Sequence, residues 1–167
     1  MNRKELLWLL GSIIAIGIFN FILLGWDSLK NTAHTDINIY DTYFVLPKSF
    51  FFILYFVLFL FLVYLVRVLA KRFRNMFGNV VFMITTISFI VMLTFVIGIG
   101  QEIIRHDNTH DGLVTHDPVK DFMTIVFNVV RILQALLCVF LAFTGIQTGK
   151  ILSLKKMANA TPDQKSQ

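Results

Sequence analysis

The stretch SFFFILYFVLFLFLVYLVRVL, Ser49 to Leu69, decides the fold. It holds no charge before Arg67, and its length is the ~20 residues that a helix needs to cross a bilayer core. Three further runs share its character: Leu6–Trp26, Val80–Gly100 and Val130–Gly149. A chain of 167 residues has too little left over to cover four such runs, so they must face lipid. The composition agrees, with 56% hydrophobic residues and a mean hydropathy of +0.73, far above those of a soluble domain. The expected fold is an all-α integral membrane bundle of four transmembrane helices. One domain covers residues 1–157, with a disordered polar tail over 158–167.

Charge sets the orientation. Arg3 and Lys4, then Arg67, Lys71, Arg72 and Arg74, then Lys150, Lys155, Lys156 and Lys165 all fall on one side. The other side has only Lys30, Lys48, Arg105 and Lys120. The positive-inside rule therefore places both termini in the cytoplasm, in a cell inner membrane, with two ordered loops outside. The net charge of +5 is a topology signal, and nucleic acid is not an expected partner. The basic turn over residues 71–79 reads the same way, with contact to acidic lipid headgroups as the alternative. The first run is too long for a signal-peptide core and has no A-x-A-like site after it, so it reads as a retained span. The single cysteine, Cys138, sits in the fourth run and reads as a packing residue.

Local signals refine the helices. Gly11 and Ala15 form a small-x-x-x-small pair suited to close helix approach. Pro47 is placed to open the second helix, whose aromatics occur all round it. Asp117-Pro118 is a cap followed by a first-turn proline, so the fourth helix should start near 118. Run on to about Leu152 it would measure about 50 Å, too long for a ~30 Å core unless its first turns project. Asp121, Thr124, Asn128, Arg131, Ala135, Cys138, Ala142, Gly145 and Gly149 follow three-and-four spacing. That polar and small face is expected to point into the bundle. Arg131 should lie near the outer boundary, paired with Glu102, Asp121 or an acid of the first outer loop.

Two outer constellations are candidates for chemistry. His106, His110 and His116 are each followed by an aspartate, Asp107, Asp111 and Asp117. Imidazole with carboxylate suits a transition metal, although the spacing matches no strong ligand template, and a solvated loop is the plain reading. No cofactor is expected; a divalent metal on His106, His110, His116, Asp107 and Asp111 is the alternative. The first outer loop, Asp36-Ile-Asn-Ile-Tyr-Asp-Thr-Tyr-Phe-Val45, alternates as an extended, half-buried segment. With Asn128 and Arg131, its Asp36, Asp41 and Tyr43 would form an outer cap.

This loop resembles a segment of haem–copper (cytochrome c) oxidase subunit I, Asp-Ile-x-x-His-Asp-Thr-Tyr-Tyr-Val, which leads into a helix that carries haem ligands. In that family the aspartates matching Asp36 and Asp41 interact with haem propionates and a redox-inactive metal. The likeness covers about ten residues. Tyr40 replaces the family's histidine, and Lys48 and Phe50 stand where its haem-ligating histidines would be. With no histidine in any span, no haem is expected. The expected function is a non-catalytic accessory or assembly subunit of a membrane complex, respiratory or envelope, partnered by the lipid bilayer and by other subunits or its own copies. The rivals are a metal- or ligand-sensing membrane protein and a small oligomeric transporter.

Overall fold

A computed structural model describes residues 3–30, 33–39, 42–107 and 118–160. It contains α1 (Arg3–Leu24), a short 3-10 turn (Trp26–Leu29), β1 (His34–Ile39), β2 (Thr42–Pro47), α2 (Lys48–Ala70), α3 (Met76–Asp107) and α4 (Pro118–Ala160). All four α-helices are long and apolar enough to cross a membrane. The chain runs up and down between two ends. A basic end holds the start of α1, the α2–α3 turn and the end of α4; a hairpin end holds β1, β2 and the start of α4.

The extensive helix contacts are between neighbours in sequence: α1 on α2, α2 on α3, α3 on α4. α3 is the most enclosed, with 33% of its spanning window buried against 17% or less for the others. In lipid this packing cannot rest on expelling water, so shape and van der Waals contact must hold it. Aromatic rings supply both. Phe61 of α2 stacks between Phe82 and Phe89 of α3 at 5.6 and 5.2 Å, and Phe82 meets Phe140 of α4 edge-on at 5.7 Å. Towards the hairpin end, Gly100 lets α4 come close enough for the Phe127 ring to occupy the space of a Cβ. Between these points Gln134 of α4 donates to the Thr94 hydroxyl, 3.0 Å, and the Ile90 carbonyl, 3.3 Å.

The turn between α2 and α3 closes tightly. The Phe73 and Arg72 N–H groups donate to the Val68 and Leu69 carbonyls, each at 3.0 Å, which is the Schellman pattern of a helix end. Arg72 holds the left-handed position usually given to glycine, at φ 48°, and Phe73 follows at φ 60°. The Phe73 ring is anchored against Phe143 of α4 at 5.2 Å. That contact compensates for strained backbone that neither side chain prefers.

Several expectations need correction. The chain is mostly helical, as expected, but the first outer loop is more than one extended segment: His34–Ile39 and Thr42–Pro47 form an antiparallel hairpin pairing His34 with Pro47 and Ile39 with Thr42. β-branched and aromatic residues recur there (Thr35, Ile37, Ile39, Thr42, Tyr43, Phe44, Val45), and they suit a pleated surface better than a helix. Pro47 stands one position earlier than expected, at the N-cap of α2 and not in its first turn. It ends β2 and caps the helix that begins at Lys48, where it has no N–H to lose. Gly11 and Ala15 are exposed; α1 meets α2 through the stripe Ser12, Ile16 and Asn20 instead. α4 runs to Ala160, into the stretch read as a disordered tail, since Lys155, Lys156, Met157 and Ala158 are good helix formers.

The face of α4 is also reversed. Asn128, Arg131, Ala135, Cys138 and Ala142 are exposed, while Phe127, Leu137 and Thr144 are buried. α3 offers α4 a surface of large rings and β-branched side chains. Phe127, Leu137 and Phe140 fill that surface, and small residues would leave voids against it.

Candidate functional site

The hairpin end is where the sequence places its candidate residues, and the structure separates them. In β1, Asp36 stands opposite Val45, and both are exposed, while Thr35 and Leu46 on the other face are half-buried. Asp36 therefore points away from the helices. Tyr43 lies in β2 opposite Asn38, and Asp41 lies outside the described residues. Arg131 is exposed, and among the described residues no ion pair joins it to Asp36. Its level follows from the α3–α4 register: it sits between Phe127, which meets Gly100, and Gln134, which meets Thr94. A long cationic side chain at that depth can extend its charge towards the membrane boundary. The expected buried pair between Arg131 and the first loop is thus absent for Asp36.

His106 and Asp107 fall on the last turn of α3, which projects beyond the apolar run at Gly100. His110, Asp111 and His116 lie outside the described residues. Near the hairpin, Lys30 pairs with Asp27 and holds that carboxyl below its usual range, chiefly through their hydrogen bond.

The enclosed charges are at the opposite, basic end. Glu5, in the first turn of α1, accepts from the Arg67 guanidinium and from Lys71 Nζ, the latter at 2.7 Å. The Glu5 and Arg67 side chains are only 12% and 13% exposed, whereas Lys71 is 43% exposed. Trp8, one turn after Glu5, lays its ring 5.2 Å from the guanidinium carbon, and Tyr64 lies 5.9 Å from it. The local sequence accounts for this. Glu5 and Trp8 are three apart on α1, and Tyr64, Arg67 and Lys71 follow three-and-four spacing along α2, so each set shares one face. Antiparallel packing then brings the two faces together. A planar guanidinium can accept a carboxylate at its edge and aromatic rings on its faces at once; an ammonium group cannot. Chemically this is a clasp that fixes the start of α1 on the end of α2, and beside it lies a groove of about 710 Å³.

Reading the sequence did not single out Glu5. The available signal was that Glu5 is the one acid on the basic side before Asp163, and that Arg67 is the one cation of that side inside an apolar run.

Buried polar groups complete the inventory. Thr85, Thr86 and Thr144 donate to carbonyls of their own helices, at 2.9, 2.7 and 2.9 Å. Asn20 is fully buried in α1, and among the described residues neither polar atom of its amide has a hydrogen-bond partner. Neither a protein-family model, a curated protein nor a solved structure matches this chain.

Proposed function

We propose that this protein is a non-catalytic integral membrane subunit that docks onto another membrane protein through the outward face of α4. One observation carries the reading. Asn128, Arg131, Ala135, Cys138 and Ala142 form a polar and small stripe that is exposed along a spanning helix. An amide and a guanidinium at spanning depth prefer protein partners to hydrocarbon, and small residues let a neighbouring helix approach closely. In this reading both termini are cytoplasmic and the hairpin faces outward, following the distribution of Lys and Arg. The likeness of Asp36–Val45 to oxidase subunit I makes a respiratory complex the first partner to test.

The test is purification in mild detergent, with mass spectrometry of what accompanies the protein. A stoichiometric membrane protein should co-purify and should be lost with Asn128→Leu plus Arg131→Leu. A chain that purifies alone, or a partner retained by that double variant, would overturn the assignment of this face.

A further inference from the structure

We infer that the groove between α1 and α2 at the basic end binds one anionic phospholipid of the surrounding bilayer. Its walls are apolar, formed by Trp8, Leu62, Val63 and Val66, and all four are exposed, so the groove opens sideways where lipid lies. Its rim is cationic. Lys4, Arg67 and Lys71 line it with Glu5 as the only acid, which leaves an excess of two positive charges. The volume of about 710 Å³ is in the range of pockets that take whole small ligands.

The charges are not all consumed within the protein. Glu5 takes the Arg67 guanidinium and one N–H of Lys71. Lys71 retains two further donors and is 43% exposed. Lys4 is exposed and has no ion pair among the described residues. An acyl chain along the Leu62–Val66 wall would bring its phosphodiester up to Lys4 and Lys71, and the residual positive charge selects a headgroup with net negative charge. Trp8 is placed at the depth where an indole favours the boundary between chain and headgroup. A soluble phosphate would use the rim and leave the apolar wall unoccupied, so the occupant assigned is a lipid. This inference concerns a different face from the α4 stripe and stands apart from it.

Native mass spectrometry of the full chain from nanodiscs of equal phosphatidylglycerol and phosphatidylcholine reads the site. One phosphatidylglycerol per chain should be retained in preference to phosphatidylcholine. Each lysine near an anionic headgroup contributes about 5-fold to binding, so Lys4→Gln plus Lys71→Gln should weaken retention roughly 30-fold. Lys4→Gln alone spares the Glu5 clasp and should weaken it about 5-fold, which guards against misfolding of the double variant. Arg72→Gln plus Arg74→Gln removes the same charge from the same end outside the groove and should leave retention unchanged. Equal retention of the two lipids, equal losses in the two double variants, or displacement of the lipid by glycerol phosphate would each overturn the inference.

Discussion

Replacing Glu5 by glutamine should destabilise the folded protein by about 2–3 kcal/mol, through one orphaned charge. In the native structure the Arg67 side chain is 13% exposed and faces Glu5, itself 12% exposed. Breaking a fully buried ion pair from one side costs about 3–5 kcal/mol, while an exposed pair contributes about 0–1 kcal/mol. A pair this enclosed, but at a helix end, belongs between those limits and nearer the upper one. Glutamine keeps the shape and one oxygen acceptor, so the loss reports the countercharge and not a cavity. The Lys71 arm is 43% exposed, so Lys71→Gln should cost less than about 1 kcal/mol. Arg67→Met removes the cation and keeps an apolar stem against Trp8 and Tyr64. The double variant Glu5→Gln with Arg67→Met should then be less damaged than the sum of the singles, by about 1–3 kcal/mol. The assay is equilibrium unfolding in mixed micelles, followed by circular dichroism. A neutral Glu5→Gln, or strictly additive single effects, would show that the clasp is only a surface contact and refute the reasoning.

Three further outcomes are expected. Gly100→Ala would drive a methyl group into the Phe127 ring and should cost about 1–3 kcal/mol, with Phe127→Leu restoring much of it; independence of the two changes in the same unfolding assay would contradict the close α3–α4 approach. Asn20→Leu replaces a fully buried amide that has no hydrogen bond among the described residues and should raise stability by about 1–3 kcal/mol; a loss of stability would mean that the amide has a partner in the membrane. With Cys138 replaced by alanine, a cysteine introduced at Asn108 should react with an impermeant maleimide in intact cells and one at Asn75 should not, the reverse pattern inverting the topology.

Hydropathy made the spans legible because ~20 uncharged residues have few places to go. The start of α4 at Pro118 was legible because a first-turn proline is a local signal. The alternation from Asp36 to Val45 is that of an extended segment, but alternation alone does not distinguish one long strand from β1 and β2 paired with each other. The inward face of α4 was misread for a different reason. A polar and small stripe is suited to any helix neighbour, inside the chain or outside it, and periodicity says nothing about which. Only the large rings of α3 show that Phe127, Leu137 and Phe140 are the inward set. The clasp escaped notice because its partners are 62 residues apart and lie among cations that all look like topology signals.

The docking role of α4 can be tested at a single atom, because Cys138 is the only cysteine in the chain and lies exposed within the stripe. A benzophenone maleimide attached there and illuminated in native membranes should form one dominant adduct with a single other membrane protein, and Asn128→Leu plus Arg131→Leu should abolish it. Adducts with lipid alone, or with many proteins in proportion to their abundance, would show that this face of α4 meets the bilayer and not a partner.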